Sequence, residues 1–435
     1  MTADSAAVLS PVAILDDDPT GVQTLAGIKV VLDWQPGRIE TVLARASALH
    51  VLTNTRAFAP DEARALIGSA AAAVMQARSD AVVVLRGDST LRGHVFEEYL
   101  GLCDARGGPK SPVLLLVPAL PSAGRVTIAG VHYLTRDGER IPVHETEYAR
   151  DGIFSYRTSS LVEWVEARSC GYFAAANGIN VDLEAIRARG ASAVAEALRA
   201  ADRRDAPSAV AADAETAADV DAIAQGFREA TELGAKVVLR GGPTIAAALT
   251  GATAVEPADF PAADRVLVVC GSYVAQSTRQ LQTLLSAYPS SLVEVDPERL
   301  ASGDEIEIQR AASDTRVRLD SGLAVVSTPR IRPALLTDLE SGRKIALGLA
   351  DIVRALDLRD VVTVVKGGIT SAVILRNGFG MKEADVIGPV LPGVAHWIGI
   401  DAREREQRVL VVPGNVGDDN LLADVVRLIR EPRES

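Results

Sequence analysis

The stretch Val12-Ala13-Ile14-Leu15-Asp16-Asp17-Asp18-Pro19-Thr20-Gly21 sets a short apolar run directly against an acidic turn. Further short apolar runs stand at Ile28 to Leu32, His50 to Thr53, Ala81 to Leu85 and Val113 to Val117. Between these runs lie helix-length segments. One is alanine-rich and begins near Pro60, where the missing N–H of a first-turn proline costs nothing. Strands alternating with helices predict an α/β fold whose mainly parallel sheet is covered on both faces.

Beyond residue 117 the rhythm loosens. Thr135-Arg136-Asp137-Gly138-Glu139-Arg140 reads as a hairpin turn, because Asp-Gly supplies a pair of positive-φ residues. From about Asp182 to Leu233 the chain is rich in Ala, Arg, Asp and Glu, which predicts helices around a strand near Ala209 to Ala212. Ala258-Asp259-Phe260-Pro261-Ala262-Ala263-Asp264 reads as a linker, after which strand and helix alternate again from Arg265. Strands are expected near 292–295, 323–327, 361–365 and 408–412, a long helix around Pro333 to Leu356, and a terminal helix from Asn420. The chain of 435 residues is therefore divided into domains 1–255 and 256–435.

Composition narrows the function classes. With 45 basic and 57 acidic residues the net charge is −12, a poor match to a nucleic-acid binder. There is no apolar run long enough for a membrane span and no basic leader followed by one, so a soluble, cytoplasmic protein without membrane or nucleic-acid partners is expected. The 3 cysteines fit neither a disulfide framework nor a zinc site, and the 5 histidines are scattered, so no protein-held metal is expected.

In open α/β sheets ligands bind beyond the carboxyl ends of the strands, so the loops after the apolar runs carry the functional signal. The first is Asp16-Asp17-Asp18-Pro19-Thr20-Gly21-Val22-Gln23-Thr24, whose adjacent carboxylates call for a compensating ligand, metal or proton. The second is Arg86-Gly87-Asp88-Ser89-Thr90-Leu91-Arg92-Gly93-His94, where two guanidinium groups can grip a carboxylate or phosphate. Thr53-Asn54-Thr55-Arg56 is a third, smaller signal. Farther on come Cys270-Gly271-Ser272, Lys366-Gly367-Gly368-Ile369-Thr370-Ser371 and Pro413-Gly414-Asn415. Their glycines let backbone N–H groups approach phosphate oxygens, and three such loops in one half point to nucleotide binding.

Taken in order, DDPTGVQT, RGDSTLRGH, VPALPSAGRVTIAGVHYL, CGSYVAQSTRQ, VKGGITS and PGNVGDD resemble the four-carbon acid sugar kinase family over nearly the whole chain. The resemblance implies an N-terminal sugar-acid-binding domain, a C-terminal nucleotide-binding domain and an active site in the cleft between them. It implies ATP-dependent phosphorylation of the terminal hydroxyl of threonate, erythronate or 3-oxo-tetronate, with Mg²⁺ arriving on the nucleotide. Asp17 and Asp18 would then supply the catalytic carboxylate, with Asp88 in reserve. Asp17, Arg56, Asp88, Ser89, Thr90 and Arg92 would bind the acid, and Ser272, Gly367, Gly368, Ile369, Thr370, Ser371 and Gly414 the nucleotide. Ile369 stands where some relatives carry an acidic residue, and the Pro413 to Gly417 loop is a variant form. If that acidic residue helps hold metal in relatives, another group must do so here.

Two other readings compete. Asp16-Asp17-Asp18-Pro19-Thr20 also fits the D-x-D-x-T signature of a haloacid-dehalogenase-type phosphatase with Asp16 as nucleophile, although that leaves the C-terminal half unexplained. A non-catalytic sugar-acid or nucleotide sensor on the same scaffold is the other. Oligomeric state is not legible in the sequence, although soluble enzymes of this kind are commonly symmetric homodimers.

Overall fold

The computed structural model describes residues 10–22, 25–136, 138–252, 255–331 and 338–431. They form two compact units, and the division does not follow the chain in one cut. One unit comprises residues up to Asp17, Trp34–Thr53 and Pro60–Gly251; the other comprises Asp18–Asp33, Asn54–Ala59 and the chain from Ala252 onward. Two short N-terminal segments thus belong with the C-terminal half, a membership that no boundary drawn along the sequence near residue 255 can express.

The first unit is built on seven strands, all parallel. In spatial order they are Ala48–Leu52, Val12–Asp16, Val82–Arg86, Val237–Gly241, Val113–Val117, Ala209–Ala212 and Ile179–Val181. Every residue of Val12–Asp16, Val113–Val117, Ala209–Ala212 and Val237–Gly241 is buried. That is what a parallel sheet between helical layers requires, and it explains why these strands read as unbroken apolar runs. Ile14, Val84, Leu115, Val210 and Leu239 pack with Leu198, Ile223 and Phe227 of flanking helices in one core. The helix Ala217–Glu232 opens with a reciprocal cap between Thr216 and Asp219. The predicted hairpin is present: Val131–Arg136 pairs antiparallel with Glu139–Pro142, and Arg125–Ile128 completes a three-stranded sheet. Asp137 lies outside the described residues.

The strands of the second unit follow a mixed order. Leu292–Glu294, Leu323–Ser327, Arg265–Cys270, Val361–Lys366 and Glu406–Val412 run parallel in that order. Val394–Ile400, Glu383–Leu391 and Ile28–Val31 then follow antiparallel. The strand Ile28–Val31 comes from the N-terminal segment, and Lys29 pairs with Asp385 across the register at 2.7 Å. Of the long helix expected around Pro333 to Leu356, the structure describes Leu339–Arg354, capped by the Asp338 carboxylate at the Ser341 N–H. Residues 332–337 lie outside the described residues, as do Gln23 and Thr24. Among the described residues no helix is long and apolar enough to cross a membrane.

Candidate active site

In the first unit the strand ends converge as a buried ionic network. Asp16 and Arg86 are register partners on adjacent strands, and the guanidinium of Arg86 pairs with the carboxylates of both Asp16 and Asp17, the latter at 3.2 Å. The other Asp16 oxygen takes His50 Nδ1 at 3.0 Å, and the Asp16 carbonyl accepts from the Thr53 N–H and hydroxyl. Asp16 is 2% exposed. Both oxygens of its carboxylate are thus engaged, an arrangement that does not favour Asp16 as the nucleophile of the phosphatase reading.

The Arg86 to Arg92 loop follows directly. Thr90 donates to the Asp88 carboxylate, which also takes Arg92 Nε at 2.7 Å; Arg92 reaches Asp151 at 3.7 Å as well. Four residues outside the sequence-based set complete this cluster. Arg125 donates to the Ser89 hydroxyl at 2.8 Å, and Tyr156 donates to the Thr90 carbonyl at 2.7 Å. The Tyr148 ring lies under both Arg92 and Arg125, with guanidinium carbons 5.2 and 5.7 Å from its centroid. His132 joins the Ser89 carbonyl through Nε2 and the Thr127 hydroxyl through Nδ1, each at 2.9 Å. Burial pushes the His132 imidazole down to about 4, so it is neutral near pH 7, with Nε2–H donating to Ser89.

In the second unit three strand-end loops close around Ser272. A Cβ on Gly367 would stand 2.9 Å from the Ser272 Cβ, one on Gly414 3.0 Å from its Oγ, and one on Gly271 2.6 Å from Thr370 Oγ1. Gly367 also has φ 110°, a conformation open to glycine. Ser277 ties the assembly together, donating to the Gly414 carbonyl at 2.9 Å and contacting Ser272 Oγ at 3.0 Å. Ser371 donates to the Gly367 carbonyl at 2.8 Å. Two cations brace these loops without having been singled out in the sequence. Lys366, fully buried, donates to the Pro413 carbonyl, and burial lowers its ammonium to about 8. Arg330 donates to the Ser272 carbonyl and lies over the Tyr273 ring.

Asp18 and Arg56 also belong to this unit, paired at 2.8 Å. The Asp18 carboxylate caps the turn Pro19–Val22 by accepting from Thr20, and it rests against Gly368 so closely that a side chain there would overlap it. Thus Asp17 and Asp18, adjacent in sequence, face different surroundings: Asp17 an arginine of the first sheet, Asp18 the paired glycines of the second unit. Ile369 is partly exposed beside them. Among the described residues no group of three or more His, Cys, Asp or Glu is arranged to hold a metal ion. The donors nearest the glycines are the Asp18 carboxylate and the Ser272 and Thr370 hydroxyls, hard oxygen ligands that suit Mg²⁺ carried largely by phosphates.

Two stretches of the chain match known families of domains. Residues 12–249 match a sugar-binding N-terminal domain and residues 267–422 a nucleotide-binding C-terminal domain. The chain belongs to the four-carbon acid sugar kinase family. Within this family it is similar to a D-erythronate kinase of Heliobacterium modesticaldum, with 29% identity over 72% of this chain and 69% of that one. It is also similar to a D-threonate kinase of Salmonella typhimurium, with 27% identity over 66% of this chain and 64% of that one. Crystal structures of a Haemophilus influenzae protein and a Salmonella typhimurium protein share the fold. Their TM-scores are 0.61 and 0.67, at 18% identity, over 94% and 97% of this chain and 98% and 100% of theirs.

Proposed function

We propose that the protein is an ATP-dependent kinase that phosphorylates the terminal hydroxyl of a four-carbon sugar acid of the threonate, erythronate or 3-oxo-tetronate type. The observation that carries this reading is the seat of Asp18, a carboxylate from the N-terminal acidic turn, against Gly368 of the Gly-Gly loop. Phosphoryl transfer asks for alignment, charge neutralisation and a carboxylate to take the acceptor proton. Gly367, Gly368, Ile369, Thr370 and Ser371, with Ser272 and Gly414, hold the phosphates through backbone N–H groups and hydroxyls. The acceptor oxygen bonds to the γ-phosphorus as the bond from that phosphorus to the bridging oxygen of ADP breaks. Asp18 accepts the hydroxyl proton, oriented by Arg56 and Thr20. Both carboxylates face an arginine, Asp17 that of Arg86 and Asp18 that of Arg56, but Asp18 is the one seated against the Gly-Gly loop, which makes it the better-placed base. Mg²⁺, bound with the nucleotide, neutralises phosphate charge. Asp18 also supplies an acidic group beside the loop position that Ile369 leaves apolar. Asp88, Ser89, Thr90 and Arg92 line the acid-binding side.

The test is ADP release from Mg-ATP against D- and L-threonate, D- and L-erythronate, 3-oxo-tetronates and longer aldonates. Turnover with one acid well above the acid-free rate supports the reading and names the substrate. No nucleotide binding or turnover with any of them sinks it.

A further inference from the structure

A polyhydroxy acid presents one full charge, its carboxylate, so its site needs a cation whose own charge is not already answered. Three arginines at the strand ends of the first unit fail that requirement. Arg86 is held by Asp16 and Asp17, Arg92 by Asp88 and Asp151, and Arg240 by Glu98 at 3.1 Å. Arg125 differs. Among the described residues it forms no ion pair: its contacts are the Ser89 hydroxyl and the face of Tyr148, and its Nε is buried without an acceptor.

The chain also fixes Arg125 in place. The short turn Pro121–Ala123 ends at Gly124, whose φ of 70° and whose approach to the Thr135 carbonyl, 2.9 Å from a would-be Cβ, admit no side chain. Arg125 follows with its N–H and carbonyl both bonded to Leu120, at 3.1 and 2.8 Å. Ser89, its hydroxyl partner, is anchored from behind by His132, which is neutral and so adds no competing charge. The result is a rigid guanidinium on an aromatic face, beside the Asp88-Ser89-Thr90 loop, with hydrogen bonds still to make. A planar fork of this kind takes a carboxylate in paired bonds.

We infer that Arg125, with Ser89, is the carboxylate anchor of the acceptor site and sets its preference for sugar acids over neutral sugar alcohols. Arg92 then serves to position Asp88 and Thr90. The inference rests on the sugar-acid reading above for the identity of its ligand.

The experiment compares the wild type with Arg125→Gln and Arg125→Lys, using the acid identified in the panel and the tetritol that lacks its carboxylate. For Arg125→Gln we expect kcat/KM for the acid to fall at least about 100-fold, with KM for ATP unchanged and the rate on the tetritol unaltered. The acid-over-tetritol preference then collapses, and Arg125→Lys restores part of it. A Gln variant within threefold of wild type overturns the anchor, as does equal loss on acid and tetritol, which marks a structural role. Calorimetric titration of threonate and erythronate without ATP separates this inference from the kinase reading. If acids bind in an Arg125-dependent way but none is phosphorylated, the kinase reading fails and the anchor stands. If the wild type binds no four-carbon acid, the anchor fails.

Discussion

The carboxylate of Asp18 fills the space that a side chain on residue 368 would need. Gly368 is thus required for close approach, its backbone conformation being one that any residue can adopt. We expect Gly368→Ala to push Asp18 off the loop and lower kcat by about 100-fold or more, the range in which removal of a positioned general base falls. Thermal unfolding should change little. A variant with wild-type kcat would show that Asp18 acts from elsewhere.

Asp16 is tied to Arg86 and His50 in a buried network, so its role is stability. Asp16→Asn leaves Arg86 undercompensated, and removing one partner of a buried pair costs about 3 kcal/mol or more. Denaturant unfolding should show that loss, while kcat per folded molecule stays near wild type. Abolished turnover in a fully folded Asp16→Asn protein would revive the phosphatase reading.

Burial holds His132 and His396 to about 4, against 6.5 for the free imidazole. The unfolded chain takes up these protons below about 6.5, the native protein only near 4. The stability they represent is full above pH 6.5 and is lost as pH falls through 4. Urea midpoints measured at pH 7 and 4.5 should therefore drop less in His132→Asn than in the wild type. Parallel curves for the two proteins would argue against it.

Lys366 runs the other way on the pH scale. Its ammonium is lowered to about 8 from 10.5, so between those values the unfolded state holds a proton that the native state does not. Stability should rise with pH across that window. Lys366→Met should abolish that part of the rise, and it frees the Pro413 carbonyl, so weaker ADP binding should accompany it in equilibrium titration. An unchanged pH slope in the variant would exclude Lys366 as its source.

The strand ends and glycine loops were readable because parallel strands buried on both faces are unbroken aliphatic runs, and whatever interrupts such a run stands at a sheet edge where ligands bind. Asp18, Ser272 and Gly368 fall there. Arg125 does not: it lies within the family-like stretch VPALPSAGRVTIAGVHYL, but it follows a tight turn at the start of a strand in a small antiparallel sheet, where no sheet-end loop singles it out. Lys366 is visible in the sequence, but as the last residue of a strand it looks like a boundary rather than a buried charge. Arg56 is an acid-binding residue by the family resemblance alone, and its ion pair with Asp18 lies in the second unit. The antiparallel strand Glu383–Leu391 does not alternate because bulges interrupt its pairing, and Val394–Ile400 does not because nearly all of it is buried.

The strand Ile28–Val31 has a consequence for how the molecule is made. Its ion pair, Lys29 with Asp385, spans 356 residues. At roughly 5–20 residues per second a ribosome needs on the order of 20–70 s to travel that distance. Throughout that time Ile28–Val31 lacks its antiparallel partner Glu383–Leu391, although strands of the first unit are already emerging. The second unit is completed only when its C-terminal strands reach a piece of chain made early, and a gene fragment starting near residue 256 would encode Glu383–Leu391 without its partner Ile28–Val31 and a glycine loop without Asp18.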